Sequence, residues 1–132
     1  MSIMKKYLSL SALAFGLALL PLSASADVAS EITTAATHAG LAAQSTTIDM
    51  VHMHLHHTLN CLVGPNGMDF DKDALNPCKN NGSGAIPDTT DAAKQKALEA
   101  AADKAREGLK ADDLATAQKD ASDTSGMLKA IK

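Results

Sequence analysis

The chain has 132 residues, of which 12 are Lys or Arg, 15 are Asp or Glu, and 45% are hydrophobic. This length suits one small domain. Only 2% of the residues are aromatic and the net charge is −3, which argues against nucleic-acid binding through base stacking or phosphate contacts. The composition also lacks the side chains for a large aromatic-lined pocket. We therefore expect a small, Ala-rich, helical binding protein and no enzymatic activity.

The N-terminus has the three parts of a secretory signal peptide. Lys5 and Lys6 precede an apolar run that ends near Leu22, and the small residues Ala24 and Ala26 supply a cleavage pattern. The run is too short and too interrupted for a membrane span. The sequence thus predicts cleavage after Ala26, a periplasmic or secreted location and no membrane insertion of the mature chain.

Cys61 and Cys78 are the only cysteines of the chain. In an exported protein an even cysteine pair predicts a disulfide, here closing a loop of 18 residues (61–78). A pair of thiolate metal ligands is the alternative, which an oxidising compartment disfavours.

The predicted mature chain, 27–132, is a single domain with three regions. Residues 27–62 and 89–132 contain no proline, whereas 63–88 is rich in turn-forming Gly, Pro and Asn. We expect a helical hairpin on each side of a long, disulfide-closed loop. The fold prediction is all-α, an antiparallel four-helix bundle. The alternative is a single helix over 28–62, which would give three helices in all.

Apolar residues at helical spacing support this interpretation. In the first hairpin the predicted stripes are Val28, Ile32, Ala35, Ala36, Ala39 and Ala43, followed by Ile48, Val51, Leu55, Leu59 and Leu62. In the second they are Leu98, Ala101, Ala102, Ala105 and Leu109, followed by Leu114, Ala117, Ala121 and Leu128. Thr46 is the predicted start of the second helix, with Asp49 completing a capping box, and Asp112 that of the last.

All five histidines lie in the first half of the chain, four of them within residues 52–57. On a helix, His52 and His56 are one turn apart, and Asp49 shares their side. Two imidazoles at this spacing can bind one metal ion, and the carboxylate can ligate it or orient an imidazole. Asp49, His52 and His56 therefore form the primary predicted metal site.

Two further pairs at the same spacing combine imidazole with thioether. Met53 pairs with His57 on a face expected to point to solvent, and Met50 pairs with His54. Thioether ligands favour copper, especially Cu(I), whereas imidazole with carboxylate suits zinc, nickel or Cu(II). His38 joins the site only if the helix boundaries place it beside the cluster.

Two other interpretations of this stretch stay open. The His/Met face could dock a second subunit as a homodimer, or an envelope partner, since exposed apolar groups often mark interfaces. His52 or His56 could also be an axial ligand of haem b. Haem ranks below a bare metal ion because the chain has almost no aromatic side chains to line a porphyrin.

The loop contains Asp69, Asp71 and Asp73, which begin like a calcium-binding loop. Ala74 and Asn80 stand where an EF-hand needs Gly and Glu, so we expect a solvated acidic turn. The sequence has no catalytic triad order, nucleophile elbow, H-E-x-x-H or phosphate-binding glycine loop.

An exported, Ala-rich helical chain with the cluster of residues 49–57 resembles the small periplasmic histidine-rich metal-binding proteins of Gram-negative bacteria. That resemblance implies a four-helix bundle that buffers copper, nickel or zinc. Proteins of this class spread their histidines over all helices, whereas residues 89–132 here contain none. The difference favours one or two metal sites.

Overall fold

The computed structural model describes residues 25–132, and the regular elements in this range are all helices. They are α1 (Val28–Gln44), α2 (Ile48–Val63), α3 (Ala85–Asp88), α4 (Ala92–Lys110) and α5 (Leu114–Lys129). Nearly all of the predicted signal peptide falls in residues 1–24, outside the described residues. Among the described helices, none has the length and apolar character needed to cross a membrane.

Residues 28–62 form two helices and not one. Helix α1 starts after Asp27, whose carboxylate accepts the Ser30 N–H at 2.9 Å. It ends at Gln44, and a short turn leads to α2. The α2 cap is Thr47, whose hydroxyl oxygen accepts the Met50 N–H, and not the predicted Thr46.

The second pair of helices repeats this arrangement. Asp91 caps α4, and its carboxylate accepts the Lys94 N–H at 2.8 Å. Helix α5 is capped by Asp113, so the prediction of Asp112 is wrong by one residue. The cap candidates are Thr46 and Thr47 before α2, and Asp112 and Asp113 before α5. Two adjacent residues of the same type match a capping pattern equally well. The backbone that places one of them directly before the first helical residue decides between them.

The helices enclose a core built largely from the predicted stripes. Helix α1 packs against α2 and α5, and α4 packs against α5 and α2. The five largest fully buried apolar side chains are leucines, and alanines supply most of the remainder. The leucines are Leu55, Leu59, Leu62, Leu98 and Leu128. In α1, Ala42 is buried where the stripe predicted Ala43, which is only half-buried.

Small residues let the helices approach closely. Gly108 of α4 is buried, and a Cβ there would lie 2.7 Å from Cδ1 of Leu55 on α2 and 3.2 Å from Cβ of Asp120 on α5. A second small residue joins α5 to α1: the hydroxyl of Ser125 donates to the carbonyl oxygen of Ala36 at 3.0 Å. Three helices therefore meet around Gly108, where a side chain would displace Leu55 and contact Asp120.

The segment between α2 and α3 is held to the helices by a disulfide and by a buried amide. Cys61 and Cys78 are disulfide-bonded, as predicted. Asn60 is fully buried; its Nδ2 donates to the carbonyls of Asp71 and Leu75, and its Oδ1 accepts the Asp71 N–H at 2.9 Å. The predicted loop also contains α3, a single helical turn that the pattern did not indicate.

A buried carboxyl group connects α1 to the start of α3. Glu31 is fully buried, and its Oε1 accepts the N–H of Gly84 at 3.0 Å. Its Oε2 has no hydrogen-bond partner among the described residues. Burial, with the charge of Asp88 as a smaller cause, raises the pKa of Glu31 to about 7.

Candidate metal centre

Helices α1 and α2 bring three histidines into one group. His38 lies on α1, and His54 and His57 lie on α2. The three side chains offer ligand atoms that all lie within 4.8 Å of one another. The ring centroids are 5.0 Å apart for His38 and His57 and 5.5 Å apart for the other two pairs. No other group of three or more His, Cys, Asp or Glu residues in the described range meets this distance criterion.

The spacing of the nitrogens suits a single transition-metal ion. Nδ1 of His38 and Nδ1 of His54 are 3.3 Å apart, within hydrogen-bonding distance of each other. Two nitrogens that bind one tetrahedral Zn²⁺ at about 2.0–2.1 Å also lie about 3.3 Å apart. The His57 ring stands nearly perpendicular to the other two rings. The three imidazoles are therefore close enough to share one ion.

The third histidine has a buried nitrogen without a partner. His57 is only 8% exposed, and its Nδ1 has no hydrogen-bond partner within residues 25–132. An unsatisfied buried polar atom is uncommon and needs an explanation, such as a ligand that the site is built to hold. In the described chain, Nδ1 of His57 is thus available to a cation.

Burial favours the neutral, metal-binding form of two histidines of the group, His38 and His57. Burial lowers the pKa of His38, and the charges of His57 and His54 lower it further. Burial likewise lowers the pKa of His57, together with the charges of His54 and His56. Metal binding requires the neutral imidazole. The lowered pKa values of His38 and His57 therefore reduce the competition between protons and a metal ion for these two rings.

Local structure positions the group. His54 and His57 are three residues apart on α2, so they lie on one face. The turn between α1 and α2 then returns the chain so that His38 lies beside them. Thr58, fully buried, donates its hydroxyl to the carbonyl oxygen of Ala35 at 3.2 Å. This hydrogen bond ties the two helices together one residue beyond His57.

The primary predicted set, Asp49, His52 and His56, does not form a group of this kind. Asp49 is exposed, while His52 and His56 are half-buried. Nδ1 of His56 lies 3.2 Å from Oδ2 of Asp71, close enough for an ion pair but without the alignment of a hydrogen bond. His52 has a buried Nε2 with no partner in the described chain.

The members of the second predicted set, Met50, Met53, His54 and His57, differ in burial. Met50 and Met53 are 45% and 43% exposed, which agrees with a surface position. The expectation that His57 points to solvent is wrong, since the residue is buried. Helix α2 packs against α1 as well as α4, so its buried arc is wider than its apolar stripe. His57 lies on the arc that faces α1.

The acidic residues of the loop have partners within the protein. Oδ1 of Asp71 accepts the N–H groups of Asp73 and Ala74, and Oδ2 of Asp69 accepts from Nε of Arg106 at 2.8 Å. His56 and Asp71 line a cavity of about 750 Å³, whose wall includes Phe70. Part of the predicted solvated turn therefore holds the loop to α4, through the ion pair of Asp69 with Arg106.

Sequence patterns alone could not have found the whole group. His54 and His57 belong to the clustered stretch that composition singles out, but the predicted pairs use a spacing of four residues and these two histidines are three apart. His38 is 16 residues from His54 and becomes a neighbour only through the α1–α2 turn. One sequence signal for His38 is that it lies about as many residues before the turn as His52 lies after it, which in a hairpin places the two at a similar level.

No family model, curated protein or solved structure matches this chain.

Proposed function

We propose that this protein is an exported, non-enzymatic transition-metal-binding protein whose site consists of His38, His54 and His57. It would buffer a metal ion or hand it on. The observation that carries the proposal is the convergence of three imidazoles from two helices, with ligand atoms within 4.8 Å of one another. The two hairpins would form an antiparallel four-helix bundle, which the short α1–α2 and α4–α5 turns and the pairwise helix packing support.

Two features support metal binding over a purely structural role for the cluster. A structural histidine inside a protein normally has its ring nitrogens hydrogen-bonded, whereas Nδ1 of His57 is buried without a partner in the described chain. His52 and His56 each have such a nitrogen as well, but among the described residues only His57 has it within a group of three histidines. Burial also lowers the pKa values of His38 and His57, so protonated rings do not explain the arrangement. Three histidines with one open position are a recurrent zinc and copper ligand set.

Export is the proposed setting, supported by the N-terminal sequence pattern and by the disulfide. Disulfides persist in oxidising compartments such as the periplasm, and Cys61 and Cys78 are paired. Mass spectrometry of the secreted or periplasmic protein would show whether the mature chain begins at Asp27.

Calorimetric titration of the disulfide-intact protein with Zn(II), Ni(II) and Cu(II) tests the site. We expect submicromolar binding of about one ion per chain. A His54→Ala/His57→Ala variant should lose at least about a hundredfold in affinity, because two of the three ligands are gone.

The matched control is a His52→Ala/His56→Ala variant, which removes the same number of imidazoles from the same helix. It should bind the ion as wild type does. Loss of binding in the control and not in the first variant would overturn this site. It would point back to the set that includes Asp49.

A second function is favoured by the exposed apolar residues near the cluster. Leu41, at the end of α1, is 43% exposed, and Met50 and Met53 are similarly exposed near the start of α2. Such a surface suits docking of a second copy or of an envelope protein. Analytical ultracentrifugation of the metal-free protein would detect self-association at this face.

A further inference from the structure

Two methionines flank the three-histidine group on the surface of α2. Met50 lies four residues before His54, and Met53 lies four residues before His57. Helical residues four apart are neighbours, with Cβ atoms about 5–6 Å apart. Each metal-ligand candidate of α2 therefore has a thioether one turn away.

These methionines have no part in the hydrophobic core. Both are more than two-fifths exposed, and neither belongs to the cluster of buried residues nor to the apolar side chains packed against it. A methionine with three flexible torsions and a polarisable sulfur adapts easily to a nearby ligand. Packing therefore does not account for thioethers at these two positions.

The group itself contains no carboxylate. Among the described histidines, only His56 lies within ion-pair distance of a carboxylate, that of Asp71. His38, His54 and His57 bring no negative charge to an ion, and burying an uncompensated charge costs more as that charge increases. A monovalent ion thus suits this partly buried site better than a divalent one does.

Soft thioether ligands select Cu(I), whereas harder divalent ions gain little from them. We infer that the preferred cargo of the site is Cu(I), held by His38, His54 and His57 with a thioether from Met50 or Met53. This inference rests on the proposed function and names its metal. It implies that the methionines contribute to affinity for Cu(I) and not for Zn(II).

The test uses a Met50→Leu/Met53→Leu variant, which removes both sulfurs and keeps apolar side chains of similar size. Anaerobic competition with a chromogenic Cu(I) chelator measures the affinity, and Ag(I) serves as a redox-inert probe in parallel. We expect the variant to bind Cu(I) and Ag(I) roughly tenfold more weakly than wild type does. Its affinity for Zn(II) should be unchanged.

Met68→Leu is the matched control, since Met68 is 81% exposed and lies outside the group. It should not change Cu(I) affinity. In nuclear magnetic resonance spectra, Ag(I) should shift the methyl signal of Met50 or Met53 and leave that of Met68 in place.

The outcomes separate this inference from the proposed function. Equal Cu(I) affinity in wild type and the double Met variant, with binding lost in His54→Ala/His57→Ala, would overturn the methionine role and leave the histidine site standing. A wild-type preference for Zn(II) over Cu(I) would overturn the assignment of the cargo. Failure of every metal to bind would remove both proposals.

Discussion

At the residue scale, the clearest departure from ordinary side-chain behaviour outside the histidines is Glu31. A fully buried carboxyl group is rare unless it is paired. Glu31 has one hydrogen bond, from Gly84 N–H, and its pKa is raised to about 7. The residue looks unremarkable in the sequence, because a glutamate in the first turn of a helix is usually a solvated partner of the helix dipole.

The raised pKa predicts a specific dependence of stability on pH. The folded-state pKa of about 7 exceeds the ordinary glutamate value of 4.5, so the folded protein binds the proton more tightly than the unfolded chain does. The contribution of Glu31 to stability is fully present below about pH 4.5 and is lost as the pH rises through 7. Glu31→Gln mimics the neutral carboxyl and should abolish this dependence.

Urea denaturation of both proteins between pH 4.5 and pH 8.5 measures the effect. The variant should gain stability relative to wild type as the pH rises, with most of the gain between pH 5 and pH 8. Subtracting the wild-type free energy of unfolding from that of the variant at each pH cancels the contribution of His38 and His57, which has the opposite pH dependence. Their lowered pKa values make the folded state lose stability as the pH falls. A difference that does not vary with pH would contradict a protonated Glu31.

At the element scale, helix periodicity predicted which residues face the core, because a stripe of apolar residues along one face of a helix is normally buried. Val51, Leu55, Leu59 and Leu62 are buried as expected. Periodicity could not find α3, since a single turn has no period. It also misjudged His57, because a polar residue can be buried against a neighbouring helix whose position depends on the whole fold.

The closest helix approach leads to a prediction about glycine. A Cβ on Gly108 would lie 2.7 Å from Cδ1 of Leu55, a fully buried side chain that would have to shift within the core. Gly108→Ala should therefore lower the free energy of unfolding by about 1–3 kcal/mol through overpacking.

Gly126→Ala is its control, since a Cβ at that position of α5 meets nothing within 4 Å. There the better helix propensity of Ala should stabilise the protein by up to about 1 kcal/mol. Urea unfolding of the two variants compares them. If both substitutions were stabilising, the α4 contact would not be as tight as described.

At the scale of the whole molecule, a thin alanine core is supplemented by covalent and polar connections. Alanines bury little apolar area each, and small domains often need a disulfide for this reason. The cysteine pairing could be predicted, because two cysteines allow one intramolecular pairing. The partners of Asn60, Asp71 and Glu31 could not, because their hydrogen bonds join residues 11 to 53 positions apart and depend on the path of the irregular segment between α2 and α3.

Breaking the disulfide should have a measurable cost. In the chain-entropy account, a loop of this size is worth about 3 kcal/mol. A Cys61→Ala/Cys78→Ala variant should lose about that much free energy of unfolding in urea. It should still bind metal where it remains folded, since neither cysteine belongs to the three-histidine group. Wild-type stability in this variant would mean that Asn60 and its partners already hold the segment in place.

The position of the histidines along the chain has a consequence for the order of assembly. His38, His54 and His57 all lie within 20 residues of one another, on two helices joined by a three-residue turn. Contacts that are local in sequence form early, since little chain has to be ordered to make them. The ligands can therefore meet before α4 and α5 have packed. A metal ion present during folding would therefore bind the α1–α2 hairpin and stabilise it before the core forms.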